Sequence, residues 1–343
     1  MEHSQPKITV VGAGAIGGVT AAFLSRAGWN VEIICKRQEI AKQCSDPGLL
    51  ITGLRGESRT PLHAVASIKE LSGPLQVVLL ATKATDCVSA ARELLPMLSD
   101  DGFVVSLQNG ICEEALAEVL GRERLIGCVV AWGATMLGPG RLEVTSPGEF
   151  VIGNLDGKVD PRLDLLKEAL SSVAPTRISE NIMGELYSKL IVNSCINTLG
   201  ALTGMTLGKL LASAQVRNIF MGLMTEAVAV ANAMNIRIEP GGGGKLDYYK
   251  FLSGDGFWSR LRKHATVRVI GFKYRRIKSS SLQSLERGRP TEIDYLNGYI
   301  CNKGREFSVP TPLNDAVTGM VKEIESGQRM ISPENVTDPR LRL

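Results

Sequence analysis

What this chain lacks narrows its possibilities first. No apolar run reaches the roughly 18 residues that a membrane-spanning helix needs, although 44% of the residues are hydrophobic. Met1 to Lys7 is polar and runs straight into an apolar strand, without the basic and apolar blocks of a secretory leader. A cytoplasmic protein with no membrane association is therefore expected. The seven cysteines (Cys35, Cys44, Cys87, Cys112, Cys128, Cys195 and Cys301) are scattered, with no C-x-x-C pair. That pattern argues against a disulfide framework or a zinc site and for reduced, buried thiols. No metal site is expected. Histidine is scarce: His3, His63 and His264 are all there are, and none stands in a convincing catalytic context. Net charge is only +4. A cationic run from Arg260 to Lys278 reads as a solvated helix face rather than a nucleic-acid surface. Internal repeats are absent.

What is present is alternation. Apolar runs at Lys7–Val11, Val31–Cys35, Gln76–Ala81, Phe103–Leu107 and Arg124–Val130 read as strands. Helical patterns at Ile16–Ala27, Thr85–Leu98 and Cys112–Leu120 separate them. This order predicts an α/β fold, a Rossmann-type parallel sheet with helices on both faces. Short β-prone pieces at Arg141–Thr145 and Glu149–Ile152 read as antiparallel edge strands extending that sheet. A helix at Pro161–Ser172 and a strand at Thr176–Ile178 close the first half. Beyond Glu180 the strand signal vanishes. Helices are expected at Asn181–Asn197, Ala212–Met234, Ser280–Arg287, Thr291–Lys303 and Pro312–Ser326, with a flexible loop at Gly241–Gly244. The length suits two domains, residues 1–180 and an all-α domain over 181–343. The Met-bearing helix around Ile219 to Met234 reads as core.

Gly12-Ala13-Gly14-Ala15-Ile16-Gly17 lies between the first strand and the first helix. In that context G-x-G-x-x-G has a mechanism: a tight turn at Gly12, backbone approach to a pyrophosphate at Gly14, and close helix–strand packing at Gly17. The helix N-terminus then offers its free N–H groups to the phosphates. The end of the second strand selects between dinucleotides. An acid there accepts hydrogen bonds from a ribose 2′-hydroxyl, but this chain has Cys35-Lys36-Arg37. Two cations favour a 2′-phosphate, hence NADP.

With histidine set aside, a lysine becomes the candidate proton donor. Lys189, Asn193 and Asn197 recur at four-residue spacing on a largely apolar helix, which puts them on one face. Either they line a cleft, or the asparagines bond neighbouring helices and the lysine is solvated. Glu292 follows Pro290-Thr291 and, taken alone, reads as an acid in the first turn of a helix.

Several separated segments occur in an order that resembles the ketopantoate (2-dehydropantoate) reductase family. These are VVGAGAIGG at 10–18, ATK at 81–83, QNG at 108–110, ELYSKLIVNSCIN at 185–197, SSSLQSLERGRPTEIDYLNG at 279–298 and VPTP at 309–312. The resemblance implies NADPH-dependent reduction of a 2-oxo acid to a 2-hydroxy acid. It implies Lys189 as general acid, and Glu292 as the residue that holds the substrate hydroxyl and orients Lys189. Asn193, Asn197 and Ser280 would bind substrate, Asn109 would lie between nicotinamide and substrate, and Lys83 would lie near the cofactor. The chain departs from the pattern in having Tyr187 where Trp is usual and Ser281 where Met is usual, and in a longer segment between Asn235 and Ser280. A related 2-oxo-acid reductase or 2-hydroxy-acid dehydrogenase fits the same residues. A non-catalytic NADP-binding regulator is the reading from another class. The sequence leaves monomer and homodimer both open.

Overall fold

A computed structural model describes residues 5–71, 73–273 and 275–342. His3 lies outside the described residues. The chain forms two compact units, Met1–Leu186 and Tyr187–Leu343.

The first unit is built on β1 (Ile8–Val11), β2 (Val31–Ile34), β3 (Leu49–Gly53), β4 (Ser58–Thr60), β5 (His63–Val65) and β6 (Leu75–Leu80). β7 (Leu98–Ser106), β8 (Leu125–Val130), β9 (Gly133–Gly138), β10 (Arg141–Ser146), β11 (Phe150–Asn154) and β12 (Thr176–Ile178) follow. Its helices are α1 (Ala15–Arg26), α2 (Gln38–Gln43), α3 (Ala84–Leu94), α4 (Glu113–Leu120) and α5 (Pro161–Ser171). The main sheet runs β12-β11-β8-β7-β6-β1-β2-β5, parallel from β5 to β8. Its inner strands are continuous apolar runs because both faces are covered; every residue of β1, β2 and β8 is buried. The exception proves manageable: Glu32 in β2 is 1% exposed, and it accepts a 2.7 Å hydrogen bond from Thr9 Oγ1 while Lys7 Nζ lies 2.5 Å from its other oxygen.

Two expectations for this unit need correction. β11 extends the main sheet antiparallel to β8, as expected, but it is not the edge, because β12 pairs parallel beyond it. β10 does not; it joins a second sheet, β4-β3-β10-β9, pairing parallel with β3 and antiparallel with β9. The cause is tertiary. Leu142 and Val144 alternate inward at 1% exposure each, and Gly18 of α1 leaves room for the Leu142 side chain, which a Cβ there would meet at 2.6 Å. The helix expected to reach Leu98 ends at Leu94, passes through a 3₁₀ turn over Leu95–Met97, and gives way to β7 at Leu98. Pro96 has no N–H to donate into the helix.

The second unit is helical. α6 (Ile182–Thr203) enters it, followed by α7 (Leu207–Ala212) and α8 (Ala214–Ala233). Next come a single turn α9 (Gly241–Gly244), α10 (Tyr248–Leu252), α11 (Phe257–Lys273), α12 (Ser280–Glu286), α13 (Asn297–Glu306) and α14 (Pro312–Glu325). α8 starts two residues later than expected because Ser213 caps it, accepting from Val216 N. It buries Ile219, Phe220, Leu223 and Met224, so it is core. The single helix expected over Thr291–Lys303 is broken: a 3₁₀ turn spans Ile293–Tyr295, Leu296 is non-helical, and α13 begins at Asn297. Asn297 explains the break. Its side chain accepts from Thr198 Oγ1 and donates to Asn314 Oδ1 at 2.9 Å. That tertiary commitment outweighs local helix propensity.

After α14 the chain turns back and is clamped by charge. Glu323 accepts from Arg329 at 2.6 Å and from Arg340 at 2.8 Å, and Asp338 receives Arg329 at 2.9 Å. The two guanidinium groups hold the Glu323 carboxyl down at about 2. A carboxylate depressed in the folded state stabilises above its unfolded value and loses that contribution as pH falls toward the folded one. Glu323→Gln should therefore lower stability at pH 7 by about 1 kcal/mol, discounted for partial exposure. The deficit should shrink as pH drops from 4.5 toward 2. Thermal melts of both proteins across that range measure it, and a deficit independent of pH would contradict the assignment.

Candidate active site

The glycine loop separates fold from ligand. Gly12 has φ +111°, and a Cβ there would sit 2.8 Å from Ala81 O. A Cβ at Gly17 would lie 2.0 Å from Gly12 O and 2.8 Å from Ala81 Cβ. Both positions are glycine because backbone presses on them. Gly14 is different: nothing lies within 4 Å of a Cβ built there. The fold has no need of glycine at that point, whereas a pyrophosphate lying against the backbone does. Gly14 is the N-cap of α1 and contributes no side-chain cap, and the first turn holds no acid. Helical bonding starts with Gly18 N to Gly14 O at 2.8 Å, so the N–H groups of Ala15, Ile16 and Gly17 stand at the open helix end. Ala13 completes the turn between Gly12 and Gly14.

The other cofactor candidates follow the carboxyl ends of neighbouring parallel strands, where open α/β sheets bind ligands. Gly12 follows β1, Lys36 and Arg37 follow β2, Lys83 follows β6 and Asn109 follows β7. β1 lies between β2 and β6, so the chain reverses its direction of sheet growth there. Lys36 and Arg37 are exposed. Lys36 is not an independent cation, because Nζ lies 3.1 Å from Asp86 in the first turn of α3. Lys83 is the N-cap residue of α3 and is half-buried, as is Asn109. Gln108 ties these last two loops together. Its Nε2 donates to Leu80 O at 2.9 Å and its Oε1 accepts from Ser106 Oγ at 2.8 Å, all buried. Reading the sequence assigned Gln108 no role; an amide at the end of an apolar strand was the available signal.

In the second unit α6 is one unbroken helix, so Lys189, Asn193 and Asn197 do share a face. Lys189 and Asn193 are half-buried and Asn197 is 7% exposed. The polar residues one position away have other tasks. Ser188 O accepts from the Tyr248 hydroxyl at 2.6 Å, and Thr198 donates to Asn297. Ser188 and Thr198 thus carry hydrogen bonds from α6 to neighbouring helices. Ser279 Oγ donates to Asn197 O at 3.3 Å and accepts from Leu282 N at 3.2 Å, capping α12. Gly200 permits this close approach; a Cβ there would meet Ser279 Oγ at 2.4 Å. Ser280, the next residue, is exposed at the first position of α12 beside the Asn197 turn.

Glu292 is half-buried and caps the 3₁₀ turn at Ile293–Tyr295 rather than standing in the first turn of an α-helix. Thr291 anchors it, donating from both N and Oγ1 to Glu325 of α14 at 2.7 Å. A buried network, unseen in the sequence, links the helices behind. Asn297 bonds Thr198 and Asn314, and Glu226 of α8 accepts from Leu313 N and Asn314 N at 2.9 Å. Tyr187, at the position where Trp is usual, is fully buried with its ring edge-on to Tyr299. His63 is in the edge strand β5. His264 accepts from Arg217 Nε at 3.0 Å, and burial with that cation holds its pKa down. It is a neutral structural acceptor. All seven cysteines are buried and none forms a disulfide. Among the described residues no group of three or more His, Cys, Asp or Glu is arranged to hold a metal, and no helix is long and apolar enough to cross a membrane.

Comparison with known proteins bears directly on this arrangement. The family model described as ketopantoate reductase PanE/ApbA matches residues 8–157, and its C-terminal counterpart matches 181–325. A 2-dehydropantoate 2-reductase of Mesorhizobium japonicum is 31% identical, covering 93% of this chain and 97% of its own. That of Aquifex aeolicus is 28% identical over the same shares. A crystal structure of a PanE/ApbA family ketopantoate reductase from Ralstonia eutropha superposes with TM-score 0.79 at 28% identity, covering 94% of this chain and all of the other. The ternary structure of D-mandelate dehydrogenase with NADH and anilino(oxo)acetate superposes with TM-score 0.80 at 25% identity, covering 94% and 99%. With the two models together matching most of its length, this chain belongs to the ketopantoate reductase family.

Proposed function

We propose that the protein reduces a small branched 2-oxo acid, ketopantoate first among them, to the 2-hydroxy acid with NADPH. The observation that carries this reading is the gathering of Gly12–Gly17, Lys36–Arg37, Lys83 and Asn109 at the carboxyl ends of adjacent parallel strands. The relatives named 2-dehydropantoate 2-reductase support the choice of substrate. The open space at Gly14 and the acid-free start of α1 fit a dinucleotide pyrophosphate. Arg37 would grip a 2′-phosphate, with Lys36 contributing less because Asp86 offsets it. When bound, the reduced nicotinamide supplies the hydride to C2.

The electron pair displaced onto the carbonyl oxygen needs a proton. The Lys189 ammonium donates it and stabilises the developing negative charge. Glu292 holds the resulting hydroxyl and orients Lys189. Asn193, Asn197 and Ser280 would hold the substrate, and Asn109 would contact the nicotinamide. A second reading, an NADH-linked 2-hydroxy-acid dehydrogenase, draws on the Lys36–Asp86 ion pair and on the likeness to D-mandelate dehydrogenase bound to NADH.

The deciding assay is NADPH oxidation with ketopantoate beside pyruvate and 2-oxoisovalerate. Turnover should be fastest with ketopantoate. Lys189→Ala should lower kcat by roughly 10²–10⁴ and leave NADPH binding unchanged; unaltered turnover would remove Lys189 as the acid. Arg37→Glu should weaken NADPH far more than NADH in fluorescence titrations, and equal effects would refute the 2′-phosphate role. The glycines should divide cleanly. Gly17→Ala should cost about 1–3 kcal/mol of stability, because its methyl meets backbone. Gly14→Ala should leave the melting temperature alone and weaken NADPH about tenfold, ~1.4 kcal/mol.

A further inference from the structure

α11, the main element of the segment between Asn235 and Ser280, has no task in the proposed reaction and is unusual. Of its 17 residues only Val267 and Gly271 are buried. The buried side is narrow: Gly271 packs directly on Leu211 of α7, where a Cβ would meet the leucine at 2.7 Å. The outward side is apolar. Phe257 is 73% exposed, Trp258 77%, Leu261 51%, Val269 67% and Phe272 71%. Taking aromatic side chains at roughly 150–250 Å² each, these five expose on the order of 600 Å². That is at the upper limit of the patches monomers carry. It is most of the roughly 800 Å² that each partner contributes to a standard interface.

The spacing says what covers it. Trp258, Leu261, Ala265, Val269 and Phe272 fall on one face. Their intervals of three, four, four and three residues read the same in either direction. A lipid surface makes no such demand. A two-fold axis does, because each residue must meet the counterpart that its own counterpart meets. We infer that α11 pairs antiparallel with α11 of a second copy of this chain about an axis at Ala265. Trp258 then meets the partner subunit's Phe272, and Leu261 meets the partner subunit's Val269. Ala265, exposed and small, lets the two helices approach closely at the axis.

Charge agrees at the ends. The same symmetry brings Asp255, just before the helix, to Arg275 of the partner subunit, whose guanidinium lies 5.0 Å over its own Phe272 ring. Arg262, Arg268 and Lys273 flank the stripe. In an antiparallel pair they remain on the solvated rims, where like charges are screened.

The test is the mass of the intact chain in solution by light scattering at tens of micromolar. Wild type should run at twice 36.9 kDa. The Trp258→Asp/Phe272→Asp double variant should run at the single-chain mass, with unchanged circular dichroism and NADPH binding. Ala265→Cys, oxidised with diamide, should give a covalent dimer, since the native thiols are buried. Leu261→Cys should not, because its two copies lie roughly 12 Å apart along the axis, beyond disulfide reach. A monomeric wild type overturns the inference, as does a dimer that survives the double variant. Equal cross-linking at 261 and 265 overturns the register. A monomer that co-sediments with phosphatidylglycerol vesicles assigns the face to lipid instead.

Discussion

Backbone-to-backbone contact at the start of the chain is the constraint on which the first unit depends. The carbonyl of Gly12, the α-carbon of Gly17 and the end of β6 at Ala81 occupy a space that admits no side chain. This contact sets the angle at which α1 leaves β1. It leaves the helix's open N–H groups in the loop that follows β1. Gly14, with space around it, is the position where the same loop faces outward. Tight backbone contact and open space are thus divided among glycines only a few residues apart.

The second unit solves a related problem with polar groups. α6 carries a lysine and two asparagines on one face. α6 is held by the Tyr248 hydroxyl at Ser188 and by the Thr198–Asn297–Asn314–Glu226 chain. Buried polar groups of this kind are costly unless every member is satisfied. Here Glu226 accepts from the backbone at the start of α14 as well as from Asn314. The network fixes α6 against α8, α13 and α14, and Thr291 ties the Glu292 turn to α14 through Glu325. The residues with proposed chemistry are therefore backed by ones with none.

The segment before Ser280 follows a different logic. It contributes few buried side chains, yet α11 presents a patterned apolar face outward. Family membership leaves that pattern unexplained; a symmetric partner accounts for it without invoking the active site.

The sequence by itself determined the layered order of the first half, because parallel strands buried on both faces must be continuous apolar runs and their turns must be Gly-rich. It determined the glycine turn from β1 into α1, because G-x-G-x-x-G marks a tight strand-to-helix connection. It also put Lys189, Asn193 and Asn197 on one face, since four-residue spacing in an unbroken helix leaves no choice. Only the tertiary structure decided the second sheet, where β10 leaves the main sheet for β3, and the break before Asn297. It also decided the pairing of Lys36 with Asp86 and the part played by Gln108. Each of these depends on a partner distant in sequence. Local pattern encodes which face of an element is apolar; it does not encode which distant group will satisfy a buried amide, offset a charge or accept a strand edge.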